Sequence, residues 1–271
     1  MTPRRAWRDR VVAITGAAGG LGSAMARAWG GAGATIVALD LDGERAQALA
    51  ATLRAQRIEA VGLACDVADA AACRAAIDEA IRLHGGIDVL VANAGISARC
   101  LLRDTAPGVV ERVMAVNFLG AVHATQAALA SLRARRGQIV AISSVAGFAP
   151  LVGRTAYAAS KHALHGFFDS LRGELARDGV DVMLACPSFI ATGIERAALG
   201  ADGRRAAAPR LTTGGEQSAD EVAARIVAAA ARGARLCLPS RTARLAWWVS
   251  RVAPAHYERL MLARVGAEFE L

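Results

Sequence analysis

The chain carries one lysine, Lys161, among 32 basic side chains that are otherwise arginine. Tyr157, one of two tyrosines, stands four residues before it, and the two asparagines are Asn93 and Asn117. Arginine does not replace lysine where a compact ammonium must fit a tight pocket and tune a neighbour. On a helix, positions i and i+4 share one face, so Tyr157 and Lys161 are neighbours. A nearby ammonium favours the phenolate and lowers a tyrosine from its ordinary value of about 10. A tyrosine titrating nearer neutrality can act as a general base toward a substrate hydroxyl. Taken alone, the lone lysine reads first as an accident on a solvated helix face. The other motifs decide between the two readings.

The elements that must position this pair follow from hydrophobic patterning. Apolar runs at Val11–Thr15, Thr35–Asp40, Ala60–Ala64, Val89–Ala92, 138–143, Asp181–Ala185 and 235–238 predict strands. Ala-rich periodic stretches at 21–30, 44–56, 70–83, 108–135, 157–177 and 219–232 predict helices. Alternating strand and helix implies a parallel sheet with helices on both faces. Strands that are apolar throughout fit burial on both sides. The expected fold class is α/β: one doubly wound Rossmann domain over residues 1–240, with a mainly parallel seven-stranded sheet. Residues 241–271 read as a helical extension broken at Pro254, not an independent domain. The stretch of about 191–218 holds Gly200, Gly203, Pro209, Gly214 and Gly215. It reads as an excursion from the core, and 199–215 is expected to move and to close over a substrate cleft.

After the first strand comes Thr15-Gly16-Ala17-Ala18-Gly19-Gly20-Leu21-Gly22. Glycines at a strand-to-helix turn let backbone approach a pyrophosphate, and the helix start offers free N–H groups and a positive dipole end. Asp40 ends the second strand, where a carboxylate can accept from both hydroxyls of an adenosine ribose. A 2′-phosphate there would meet a negative charge. Ala17, Ala18, Gly19 and Leu41 supply no counter-charge, so NAD is favoured over NADP, with Arg45 as the one basic residue within reach.

With these residues in place, the chain resembles the short-chain dehydrogenase/reductase family over about residues 8–240. The resemblance rests on Thr15, Gly16, Gly20 and Gly22; Asp66-Val67; Asn93-Ala94-Gly95; Asn117; Ser144; and Tyr157-Ala158-Ala159-Ser160-Lys161. It implies a catalytic set of Asn117, Ser144, Tyr157 and Lys161. Ser144 would hold the substrate oxygen, Lys161 would also bind the nicotinamide ribose, and Asn117 would hold a water linking Lys161 to solvent. Ser143 is the rival serine, but Ser144 has the family's interval to Tyr157. The implied cofactor contacts are Gly16, Gly19, Gly20, Leu21, Gly22 and Asp40 on the first half of the sheet. Asp66, Val67, Asn93, Ala94 and Gly95 follow on the next two strands. Tyr157, Lys161, Pro187, Ile190 and Thr192 complete the nicotinamide side. One departure stands out: the family's usual Pro-Gly after the sixth strand is here Pro187-Ser188, and serine resists conformations that glycine allows. His162 and His165 read as ordinary helix residues.

Composition narrows the remaining classes. There is no Gly-x-Ser-x-Gly elbow for a serine hydrolase and no Gly-Lys-Ser/Thr loop for an NTPase. Five scattered cysteines, with no Cys-x-x-Cys pair or zinc spacing, predict no catalytic metal, no disulfide framework and a reducing, cytoplasmic setting. The net charge is +8, but the arginines are dispersed, so nucleic acid is not an expected partner. No secretory signal and no apolar run of membrane-spanning length is read in the sequence. The alternative to an enzyme is a cofactor-sensing regulator on the same fold, which would usually lack the tyrosine or the lysine. Residues 145–152 with Phe189 and Leu199 suggest an apolar cleft and a hydrophobic secondary alcohol or ketone as substrate. Arg99, Arg103 and Arg154 are candidates to hold a carboxylate or an acyl-carrier phosphate, or else to lie on the surface. The resemblance implies a homodimer or homotetramer through helices at about 104–134 and 156–178. The tail, with Leu245, Trp247, Trp248 and Val252 beside arginines, reads first as a packing element and second as a peripheral membrane contact.

Overall fold

The computed structural model describes residues 6–149, 151–191, 197–206 and 216–269. Seven strands form one sheet in the order β3-β2-β1-β4-β5-β6-β7, and every neighbouring pair is parallel. They are β1 (Val11–Thr15), β2 (Thr35–Asp40), β3 (Ala60–Ala64), β4 (Val89–Ala92), β5 (Gln138–Ile142), β6 (Asp181–Ala185) and β7 (Leu236–Cys237). The order reverses between β1 and β4. A crevice opens at that switch point beyond the carboxyl ends of the strands, and this is where ligands bind in such sheets.

Helices cover both faces, as the doubly apolar strands require. One face packs α1 (Gly20–Gly31), α2 (Gly43–Ala55) and α7 (Ala219–Ala231) over Val12, Ile14, Ile36 and Val140. The other packs α3 (Ala70–His84), α5 (Gly120–Ala134) and α6 (Thr155–Glu174) over Leu39, Leu90, Ile139 and Leu184. The core is made of small aliphatics, with Trp29 fully buried and meeting Trp7 edge-on at 6.0 Å.

The helix expected over 108–135 is interrupted. It runs as α4 (Pro107–Met114), a π-helical turn (Ala115–Leu119) and α5. A π turn inserts one residue into the helical ladder and re-aims the side chains around it, commonly at functional sites. Here it carries the buried Asn117. Joined across this turn, Pro107–Ala134 has the length and apolarity of a membrane span, which the sequence reading of single apolar runs did not register. It packs against α3, α6 and β4, and 44% of its most apolar stretch is buried there.

The tail forms α8 (Arg241–Val252) and α9 (Pro254–Val265), with Pro254 at the first position of α9, followed by a short 3-10 turn (Gly266–Phe269). A proline at a helix start loses no bond, because its missing N–H would have had no partner. The excursion is described only in part: 192–196 and 207–215 lie outside the described residues, and with them Thr192 and much of the expected mobile segment. Residues 197–206 are pinned to the loop after β4. Leu199 N–H donates to Ser97 O at 2.8 Å, Arg99 N–H to Leu199 O at 2.8 Å, and Ala106 N–H to Ala201 O at 2.9 Å.

Candidate active site

The glycine loop leaves room for backbone alone. Gly16 sits at φ +62°, and a Cβ there would come within 2.8 Å of Ala94 Cα. A Cβ at Gly22 would run into Gly16 O and Ala17. Gly19 precedes α1 and brings no side chain to cap it, and no acid occupies the first turn. Gly19 and Gly20 are exposed and Leu21 is half-buried. The first N–H groups of α1 therefore face outward with the positive end of the helix dipole behind them. These residues fit a pyrophosphate.

Thr15 and Asn93 hold this loop in shape. Thr15 Oγ1 accepts from Asn93 N–H at 3.0 Å and Ala94 N–H at 3.1 Å. The Asn93 side chain donates to Thr15 O at 2.9 Å and Gly16 O at 3.1 Å. Its amide nitrogen is thus committed to bracing the loop, so Asn93, expected as a cofactor contact, acts through the loop's own backbone. Asp66 is exposed and accepts from Ala68 N–H at 2.9 Å in a local turn, while Val67 O meets His123 Nδ1 at 2.9 Å.

At the tip of β2, Asp40 Oδ2 accepts from Ala18 N–H at 2.8 Å and Oδ1 from Asp42 N–H at 3.3 Å. A carboxylate has about four acceptor sites, so two remain for a ligand. Arg45, the basic residue noted in the sequence, donates from its guanidinium to Ala18 O at 3.0 Å. The two opposite charges therefore grip the same residue of the glycine loop from its two backbone ends.

The predicted tetrad comes from three elements beside the switch point. Tyr157 and Lys161 lie on α6, and Lys161 Nζ stands 5.7 Å from the Tyr157 ring centroid. Lys161 is buried and donates to Ile142 O at the end of β5 at 2.9 Å. Burial pushes its ammonium down to about 8, because the charged form loses hydration. Asn117 is 1% exposed. It accepts from Ile96 N–H at 2.7 Å and donates to Ile96 O at 2.9 Å and Ser160 Oγ at 2.9 Å. Ser160 Oγ in turn donates to Tyr157 O at 2.7 Å. A Cβ on Gly95 would lie 3.2 Å from Asn117 Oδ1 and 3.5 Å from Lys161 Nζ, so Gly95 is the gap that lets the two approach.

The two serines after β5 separate cleanly. Ser144 is half-buried at the head of the 3-10 turn Val145–Gly147, and its hydroxyl accepts from Ala146 N–H at 3.2 Å. Ser143 is buried behind it, donating to Lys161 O at 3.3 Å and meeting His165 Nε2 at 3.1 Å. His165, read from sequence as an ordinary helix residue, backs the lysine. Burial drives it down to about 4, so it is neutral at pH 7. Periodicity carried no sign of this, because the contact spans two elements.

Pro187 O accepts from Val145 N–H at 3.1 Å, which joins the ends of β5 and β6. Among the described residues the non-glycine positive φ values belong to Asp9, Arg57 and Arg136, so Ser188 needs no glycine conformation. Its hydroxyl meets Ser240 Oγ, the cap of α8, at 2.9 Å. The residue that departs from the family pattern thus ties the site to the C-terminal extension. Ile190 packs on the sheet and bridges to Gln217.

The extension also reaches the site from outside. Trp247 meets Phe148 edge-on at 4.9 Å, and the Arg251 guanidinium lies 3.1 Å from the Trp247 ring centroid. Arg99 and Arg154, read as possible surface residues, are 8% and 4% exposed. Both pair with Glu268, at 3.5 and 3.6 Å. Arg103 is exposed beside Asp104. Sequence proximity could not link Glu268 to Arg99 and Arg154. Among the described residues no cluster of metal-binding side chains occurs.

Known proteins share this layout. The short chain dehydrogenase family profile matches residues 10–201. Dehydrogenase/reductase SDR family member 7B of Bos taurus is 38% identical over 269 residues, covering 96% of this chain and 83% of that one. Momilactone A synthase of Oryza sativa subsp. japonica is 35% identical over 228 residues, covering 79% and 81%. A crystal structure of a short chain dehydrogenase/reductase from Burkholderia phymatum, in complex with NAD, superposes with a TM-score of 0.81 at 26% identity, covering 96% of this chain and 97% of that one. Glycine loop, switch-point crevice and matched profile agree: the chain belongs to the short-chain dehydrogenase family of oxidoreductases.

Proposed function

We infer that this protein transfers a hydride between a nicotinamide cofactor and a hydrophobic secondary alcohol or ketone. The observation that carries the reading is the buried Lys161 ammonium 5.7 Å from the Tyr157 ring centroid, on a helix anchored through Ser160 to Asn117. Tyr157 is the general acid and base, exchanging the hydroxyl proton of the substrate. Lys161 favours the phenolate, and its ammonium has donors beyond the one given to Ile142 O. Ser144 donates to the substrate oxygen and orients it. Asn117 is a positioning residue, holding the loop after β4 against α6. When bound, the nicotinamide supplies the hydride acceptor or donor.

The cofactor of this reading is NAD. Asp40 keeps acceptor capacity toward a ribose and would repel a 2′-phosphate, although Arg45 nearby offsets part of that charge. Apolar Phe148 and Leu199 support a hydrophobic substrate. Five free thiols support a reducing compartment, the cytoplasm. A homodimer or homotetramer through the helices at about 104–134 and 156–178 is in keeping with small exposed residues there, Ala130, Ala134, Ala159, Gly166 and Gly173.

The test is Tyr157→Phe, which removes the hydroxyl and keeps the ring. Turnover on any accepted alcohol should fall by about two to four orders of magnitude, with NADH affinity little changed. Near-wild-type turnover would remove Tyr157 from the mechanism.

A further inference from the structure

Arg99 and Arg154 are two buried charged groups that the oxidoreductase reading does not use. They come from the loop after β4 and from the N-cap position of α6. Arg99 follows β4, where Ala98 bridges to Leu199. Arg154 is the residue before α6, three positions ahead of Tyr157, and the preceding Gly153 accepts from Cys100 N–H at 3.1 Å. Both guanidinium groups are out of water, with side chains 5% and 4% exposed. Buried arginine is costly unless an anion accompanies it, and its planar fork matches a carboxylate.

Among the described residues the carboxylate that pairs with both is Glu268, on the short 3-10 turn Gly266–Phe269 that follows α9. A single turn of this kind is a weak anchor compared with a helix or strand. The Phe269 ring beside it lies over Gly153, at φ +68°, where a larger residue would collide. Next to this ion cluster is a cleft of about 340 Å³, with Arg99, Leu101, Arg103, Glu268 and Phe269 in its walls. An intramolecular carboxylate with a hydrophobic ring at its side thus pairs with two buried arginines, and Arg99 and Glu268 of that cluster also line an open cleft.

We propose that Arg99 and Arg154 form a recognition site for a hydrophobic carboxylate, and that Glu268 with Phe269 occupies it until such a ligand displaces them. As a substrate site this rests on the oxidoreductase reading and narrows it to alcohols or ketones that also bear a carboxylate.

Octanoate and its neutral counterpart octanamide probe the site without turnover, by calorimetric titration of the full chain. Glu268→Gln removes the competing charge and keeps the shape. It should bind octanoate about tenfold more tightly than wild type, the size of a charge-assisted contact, and octanamide equally. Arg99→Met in the Glu268→Gln background should abolish that gain. In the unaltered protein, saturating octanoate should speed amide hydrogen exchange at residues 266–269, and octanamide should not. No octanoate binding by either protein, an equal gain for both probes, or unchanged exchange in the unaltered protein overturns the site. None of these outcomes bears on Tyr157, and a failed Tyr157→Phe test would leave the carboxylate site standing.

Discussion

The Asn117 side chain donates to Ser160 Oγ at 2.9 Å, joining the π turn to the helix of Tyr157 and Lys161. The same amide closes both hydrogen bonds with Ile96. One buried side chain therefore fixes the spacing between the cofactor-side loop and the proposed base.

Asn117→Ala would leave the half-buried backbone groups of Ile96 and the buried Ser160 hydroxyl without this partner. The unfolding free energy is expected to drop by about 2–4 kcal/mol, since each unmet buried group costs more than an average bond contributes. Urea denaturation followed by fluorescence measures this. Turnover should fall as well, and a variant of wild-type stability would show that Asn117 does not brace the site.

Gly22→Ala puts a methyl against Gly16 O and Ala17, which are backbone and cannot rotate away. Overpacking of this kind costs about 1–3 kcal/mol. The loop would shift to relieve it, so NADH affinity should weaken by about tenfold or more. Titration calorimetry against NADH reads the affinity, and unchanged binding would separate the loop from the cofactor.

Asp40 and Arg45 bear on the same residue, Ala18, with opposite charge. Wild-type protein should prefer NAD(H) over NADP(H) by about tenfold or more in kcat/KM. Asp40→Ala removes the repulsion and leaves Arg45 near the ribose, so the gap should narrow. Leu41→Arg added to it should narrow the gap further or reverse it, whereas Arg45→Ala alone should widen it. A wild-type preference for NADP(H) would place the adenosine ribose away from Asp40.

Lys161 bears on stability as well as chemistry. Its folded value of about 8 lies below the model-peptide value of 10.5. Between those values the unfolded chain holds the proton and the folded one does not, so stability rises with pH across that window. Below pH 8 the full cost of a buried charge applies. Lys161→Met should therefore be more stable than wild type at pH 7, by up to a few kcal/mol, and the advantage should shrink by pH 10. Denaturation at the two pH values checks the difference, and a constant gap would mean the ammonium is not strained by burial.

The sheet was readable from the chain because its strands are apolar on both sides. Alternation of such runs with Ala-rich helices admits little but a parallel layered fold, and the predicted strands match within a residue or two at each end. Tyr157 and Lys161 were readable because helical spacing is local. The glycine loop was readable because Gly16 and Gly22 occupy positions closed to any side chain.

What the chain order could not carry is contact between elements far apart in sequence. The π turn at Ala115–Leu119 has no composition of its own, and packing of Asn117 against Ile96 and Ser160 selects it. The interval to Tyr157 favours Ser144 in the sequence, but only the fold shows that a half-buried histidine on α6 claims Ser143. Arg99, Arg154 and Glu268 are ordinary charges along the chain and a buried ion cluster in space. Local pattern determined the elements and the reactive pair, since both depend on spacing within one turn or strand. Burial decided which polar groups face each other, because leaving a charge or hydrogen-bonding group unpaired away from water costs more than almost any local preference.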